Sequence, residues 1–340
     1  TKRLRIDALI SLRGLFSGDP VSQLNDYTRR FSEPSFDRWN KTVFLYVYHG
    51  TITRPILESM IEFMNLPLAK DPTGTTDKEI KWIGVTIDHC RFDRDCTLQD
   101  IHRLFLAIAH RAAKVYINSS SDILSRFLSS CHHDDQLEVP LLLIDQKEEM
   151  STEQFAQLGA VIQRSVHLKE LCLYLRCMDG AHEVFAAIAN AIELRRLSLQ
   201  DMWNKQGQRK DLGDLVAGKN GDGPLIRLLR NPHNQLKELT LFDIGMKDHH
   251  LIAVLQSLPS KQIEHLNFAC NLIQMPGMLE LANLLPKMKS LRKVHFGHNP
   301  WEDLPTDDRT TIGAALVQGM MKNMSIENIH GTEKTLHSRL

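Results

Sequence analysis

One six-residue frame, L-x-x-L-x-L, recurs through the second half of the chain and limits what it can fold into. It runs Leu168-Lys-Glu-Leu171-Cys-Leu173, Leu194-Arg-Arg-Leu197-Ser-Leu199 and Leu236-Lys-Glu-Leu239-Thr-Leu241. It returns as Ile263-Glu-His-Leu266-Asn-Phe268 and Leu291-Arg-Lys-Val294-His-Phe296, with a degenerate copy at Ile326-Glu-Asn-Ile329. Counted from the central residue, the gaps are 26, 42, 27, 28 and 35. Two gaps carry inserts, one after Trp203 and one around Trp301 to Asp308, so the underlying period is about 27 residues. Alternating apolar residues within each frame predict a short strand with one buried face. Helical patterns at 181–192, 249–258, 277–285 and 310–321 lie between the frames. Strand, helix, strand at this spacing gives parallel strands joined by crossover helices. A single unit cannot bury its own apolar face, so successive units must stack.

These residues resemble the leucine-rich-repeat family, and the period resembles its ribonuclease-inhibitor-like class. Two copies hold the family's asparagine, at Leu266-Asn-Phe268-Ala-Cys-Asn271 and Val294-His-Phe296-Gly-His-Asn299. In the family that side chain bonds backbone groups of the turn after the strand. Met202 and Ile244 take its place in two other copies, which implies an irregular turn ladder there, and Arg176 takes it in the first. Its charge sends Arg176 to the rim of the strand face.

The first half follows the same order less regularly. Strands are predicted at 43–47, 83–87, 115–117 and 141–143, and helices at 55–64, 98–113, 122–128 and 152–164. Ser151 with Gln154 reads as a capping box for the last helix. The resulting expectation is an α/β leucine-rich-repeat solenoid (a horseshoe) of about ten strand-helix units with a parallel concave sheet. Residues 1–41 form an N-terminal cap, 42–164 degenerate repeats, and 165–340 the clear repeats with a C-terminal cap. A separate small α/β domain over residues 1–130 is the alternative. Lys70–Asp77 and Asp201–Gly223 read as long polar surface loops.

Composition narrows the function classes. The 340 residues carry 41 Lys plus Arg and 41 Asp plus Glu. That balance argues against a nucleic-acid-wrapping or polybasic membrane-binding protein. No apolar run approaches the roughly 18 residues of a membrane span. Six cysteines without a CxxC pair point to a reducing, intracellular setting rather than a disulfide scaffold. The sequence starts Thr-Lys-Arg-Leu-Arg-Ile, with neither a Met nor an apolar leader. It reads as a fragment or a processed form, with a removed targeting segment left open. Sequons at Asn40, Asn118 and Asn323 are read as chance occurrences.

Chemistry has no anchor in the sequence. Gly213-Asp-Leu-Val-Ala-Gly218-Lys219-Asn220 is one residue short of a phosphate-binding loop. Asn220 stands where the magnesium-ligating hydroxyl belongs, and no strand leads into Gly213. Cys131-His-His-Asp-Asp135 and His249-His250 are the densest sets of metal-ligand types. Neither has the i, i+4 histidine spacing or an identifiable third ligand, so no metal and no cofactor is expected. His249 is placed in the first turn of a helix. Cys172 is read as an outward strand residue, Cys177 and Cys270 as small structural residues, and no catalytic residue is assigned.

The expected function is therefore binding: a scaffold, adaptor or complex subunit with one or more protein partners, no nucleic acid and no membrane insertion. In this repeat class the strands line the concave face, so outward strand positions form the contact surface. The candidates are Phe44, Tyr46, Tyr48, Trp82, Tyr116, Tyr174, Arg176, Phe242 and His295. Four of the chain's five tyrosines are among them, and tyrosine dominates protein-binding hot spots. Tyrosine also favours strands for packing reasons alone. Two rivals rest on fold analogy: a regulator of a small GTPase, of GTPase-activating type, and the sensing repeat domain of a larger receptor.

Overall fold

The computed structural model describes residues 8–13, 43–48, 51–65, 83–118, 121–131, 137, 139–176, 178, 180–202, 212–258, 262–323 and 325–330. The chain divides into two compact units, residues 1–148 with 164–168 and residues 149–163 with 169–340.

In the first unit, β1 (Ala8–Arg13), β2 (Val43–Tyr48), β4 (Ile83–Asp88), β6 (Ala112–Asn118) and β7 (Leu141–Glu149) lie side by side in chain order. All neighbours are parallel. Two-residue strands β3 (Thr51–Ile52) and β5 (Arg91–Phe92) pair separately. Helices α1 (Arg54–Met64), α2 (Leu98–Arg111) and α3 (Ser121–Cys131) connect the main strands. Pro55 starts α1 from its first turn, where the missing amide costs nothing. Thr97 caps α2 by accepting from the Asp100 amide at 3.1 Å. That helix buries Ile101, Leu104, Phe105, Ile108 and Ala109, the i, i+3, i+4, i+7, i+8 stripe of a helix laid on a core. Phe92, Phe105 and Phe127 meet edge to face at 5.8 and 5.5 Å. Leu45, Val47, Val85, Ile87, Val115, Ile117, Leu142 and Ile144 supply the buried sheet face.

In the second unit, β8 (Glu170–Arg176), β9 (Arg196–Met202), β10 (Glu238–Phe242), β11 (His265–Asn267), β12 (Lys293–His295) and β13 (Asn328–His330) run parallel in chain order. Its helices are α4 (Thr152–Arg164), α5 (His182–Ile188), α6 (Gly213–Ala217), α7 (Pro224–Arg230), α8 (Asp248–Ser257), α9 (Met275–Leu284) and α10 (Thr306–Met321). The central frame residues pair across every strand: Leu171 with Leu197, Leu197 with Leu239, Leu239 with Leu266, Leu266 with Val294, and Val294 with Ile329. Gaps of 26 to 42 residues thus leave the register unchanged, because the extra residues loop out between strands. One residue of slip would turn every leucine to the other face. Parallel strands joined by stacked helices, with one leucine row per repeat, form a leucine-rich-repeat fold.

Several elements depart from expectation. Strand β1 pairs in register with β2, inside the segment read as a cap. Helix α2 ends at Arg111 rather than 113, because Ala112 leaves helical geometry to pair with Ile83, where the register shifts. Helix α5 stops at Ile188, and residues 189–194 continue in tight turns. Of the expected loop 201–223, residues 213–217 are helical. Trp301, within the insert of 301–308, belongs to the core: it is 2 % exposed and its Nε1 donates to the Phe296 carbonyl at 3.3 Å. The Ser151 capping box is present, with the Ser151 amide donating to Gln154 Oε1 at 2.7 Å and the Gln154 amide to Ser151 Oγ at 3.2 Å. The loop 70–77 lies outside the described residues.

Candidate functional site: the open face of the parallel strands

Strand residues between the buried leucines point to the other face of each sheet. In the second unit the pairing lines them up in rows. One row runs Cys172, Ser198, Thr240, Asn267, His295, His330, and a second Tyr174, Gln200, Phe242. Tyr174, Arg176, Phe242 and His295 are all partly exposed there. Cys172 and Ser198, being short, are 7 % exposed between longer neighbours. His295 faces the His330 ring edge-on at 5.7 Å. Burial, with His330 and His298 nearby, holds its imidazole below the usual histidine range.

A third row, Glu170, Arg196, Glu238 and His265, is an ion-pair rung. Arg196 donates to Glu170 Oε2 at 3.1 Å and to Glu238 Oε2 at 2.6 Å, and His265 Nδ1 lies 3.5 Å from Glu238 Oε1. Burial alone would raise the Glu238 carboxyl, but the Arg196 hydrogen bond and charge outweigh it and hold it below the usual range.

In the first unit, the register sets Phe44, Tyr46 and Tyr48 beside Gly84, Thr86 and Asp88, and then Lys114, Tyr116 and Asn118. Tyr116 is half-buried, with its hydroxyl 3.5 Å from Asp145 Oδ2. Burial, with Asp145 and Asp88 close by, raises the Tyr116 phenol, and burial likewise raises the Asp145 carboxyl. Asp88 and Asp145 complete this end of the face, and the tyrosine pattern did not point to them. The signal was present as an acid at the outward end of two strands. Trp82 lies outside the described residues, as do the side chains of Phe44, Tyr46 and Tyr48.

The asparagines do what the resemblance implied. Asn299 Nδ2 donates to the Phe268, Phe296 and Gly297 carbonyls, and its Oδ1 accepts from the Ile273 amide at 3.2 Å. Asn271 Oδ1 accepts from the Ile244 and Met246 amides at 3.1 and 3.0 Å. The turn at Ile244, which lacks its own asparagine, is thus held by that of the next repeat. A left-handed residue follows at the fourth position after the frame centre in three repeats: Asp243 (φ 53°), Cys270 (φ 59°) and His298 (φ 58°). In the first unit His89 (φ 49°) stands four residues after Val85, giving that unit the same turn. Cys270 is accordingly a partly exposed turn residue.

The near-match to a phosphate loop is a short helix. The amides of Val216, Gly218, Gly221 and Gly223 already donate to Leu212, Asp214, Gly218 and Ala217 carbonyls, so they cannot cradle a phosphate. Asn323 is 3 % exposed and its Nδ2 donates to the Leu285 and Met288 carbonyls, which removes that sequon from use. The Cys90 thiol donates to the Val47 and Asp88 carbonyls, and the Cys96 thiol to the Ile52 carbonyl. Residues 132–136 lie outside the described residues. His249 does occupy the first turn of α8. The expectation that His249-His250 has no third ligand-type neighbour is corrected: Asp214 joins them, with one ligand atom from each residue within 4.8 Å of the others. Asp214 lies 36 residues earlier, at a distance no local spacing reveals.

Fold and face together define a repeat protein of the leucine-rich-repeat type, with rows of polar and aromatic side chains on the strand face opposite its leucines. The sequence matches no family model, and it matches no curated protein. Solved structures similar to it include a chain from the yeast Rad7 and Elc1 complex, at 12 % identity and TM-score 0.44, covering 92 % of this chain and 75 % of that one. The leucine-rich-repeat-containing protein LegL7 from Legionella pneumophila is similar at 15 % identity and TM-score 0.42, covering 97 % and 92 %. Among the described residues, no helix is long and apolar enough to cross a membrane.

Proposed function

We propose that this chain is a non-catalytic protein-binding module, a scaffold, adaptor or subunit of a larger complex, that holds its partner on the open strand face. The observation that carries this reading is the register: Tyr174, Gln200 and Phe242 fall in one row, with Cys172 through His330 in the next. Adjacent parallel strands set such side chains about 4.8 Å apart. A rigid, pre-ordered row of this kind contacts a partner with little entropy left to lose. The finer assignment is a ribonuclease-inhibitor-like solenoid of about ten units, with residues 1–41 as N-terminal cap, 42–164 as degenerate repeats and 165–340 as leucine-rich repeats with a C-terminal cap. Six sparse cysteines without a CxxC pair support an intracellular setting.

The test is affinity purification of the tagged full-length protein from its native cells, beside a variant with Tyr46, Tyr48, Tyr116 and Tyr174 all changed to Ala. Circular dichroism establishes that the variant is folded. Partners found with the parent and missing from the folded variant support the open face as the interface. Partners retained at equal yield would move the interface elsewhere and overturn the assignment.

A further inference from the structure

His249 and His250 open helix α8, and successive residues on a helix point about 100° apart. Their rings nevertheless lie 3.9 Å apart, centroid to centroid. His250 is completely buried, and its Nε2 lies 2.9 Å from Asp214 Oδ1 on α6. Gly213 makes that approach possible, since a Cβ there would collide with the His250 ring. The hydrogen bond from His250 holds the Asp214 carboxyl below the usual range. His249 is exposed at the outer edge of the cluster, and the three ligand atoms fall within 4.8 Å of one another.

We propose that Asp214, His249 and His250 form a binding site for a divalent transition ion of the zinc type, fastening α6 to α8. Two imidazoles and one carboxylate suit zinc, cobalt or nickel, and disfavour calcium and magnesium, which want an all-oxygen shell. Bonds of about 2.0–2.2 Å require ligand atoms closer than they stand now. His250 Nε2 and Asp214 Oδ1, now 2.9 Å apart, open by about 0.5 Å to reach the edge of a zinc tetrahedron, and the exposed His249 ring supplies the remaining movement. Three protein ligands leave the fourth tetrahedral position to water.

The proton accounting is specific. His250 Nδ1 accepts from the Lys247 amide at 3.2 Å, so the neutral ring carries its proton on Nε2, facing Asp214. An ion at Nε2 replaces that proton, which moves to Nδ1, and the Lys247 amide gives up its acceptor. Loading therefore costs one helix-capping hydrogen bond and calls for moderate rather than extreme affinity. Lys219 Nζ, 3.9 Å from Asp214 Oδ2 and 81 % exposed, competes for the same carboxylate and swings into solvent when the ion binds.

The experiment titrates the metal-free full-length protein with Co2+, following visible ligand-field absorption, and then displaces it with Zn2+. The site gives one equivalent of a tetrahedral cobalt spectrum, removed by zinc. His249→Ala leaves the buried His250–Asp214 contact in place, so the chain stays folded, yet its affinity falls at least about tenfold. Asp214→Asn does the same, and Lys219→Ala tightens binding. Absence of the tetrahedral spectrum would overturn the site. So would a spectrum that His249→Ala leaves unchanged, because cobalt would then be held by other histidines.

Discussion

Asn271 makes five hydrogen bonds to main-chain groups, accepting from two amides of the preceding turn and donating to the Leu241, Phe268 and Ala269 carbonyls. Its side chain is fully buried, so none of those groups has water to turn to. Replacement by Ala strands the Ile244 and Met246 amides. At about 1–3 kcal/mol for each buried donor left unpaired, Asn271→Ala should cost about 2–6 kcal/mol. Urea unfolding followed by circular dichroism measures this, and a loss under about 1 kcal/mol would mean that the turn repairs itself. The asparagine was legible because its place after the frame repeats. Its reach back to Ile244 was not, because a sequence shows which residue sits in a turn but not which turn its amide serves.

At the scale of elements, the rung Glu170–Arg196–Glu238 ties three neighbouring strands at one end of the second unit's open face. Arg196 is nearly half exposed, so its pairs are worth little: Arg196→Ala should cost within about 1 kcal/mol, less at high salt. Glu238 is depressed in the folded state. Its contribution is therefore present above its unfolded pKa, about 4.3, and is lost as pH falls through its lower folded value. The stability gap between the parent and Arg196→Ala, measured by urea unfolding at several pH values, should close on that acid side. A gap that held constant down to acid pH would show that Glu238 owes nothing to Arg196. The frames themselves were readable as strands, since alternation has a period of two. Helix ends were less so. Ala112 is a good helix former that turns to strand because Ile83 offers it a ladder partner, and pairing outweighs intrinsic preference.

At the scale of the whole molecule, equal numbers of acids and bases leave no net charge at pH 7, and acidification makes the chain net positive. Mutual repulsion is then weakest near neutrality. Solubility measured by polyethylene glycol precipitation should pass through a minimum near pH 7 and rise toward pH 5.5. A flat profile would mean that local patches, rather than net charge, control association. The repeat period determined the alternation of buried and open strand positions, and with it the register of every frame in the second unit. These are properties of spacing along the chain, and stacking of like units copies them from one repeat to the next. Only the tertiary structure decided what the inserts do. It buried Trp301 beneath Phe296, and it carried Asp214 across 36 residues to the fully buried His250. Such contacts depend on where neighbouring repeats stack rather than on local spacing, and so no periodicity in the chain records them.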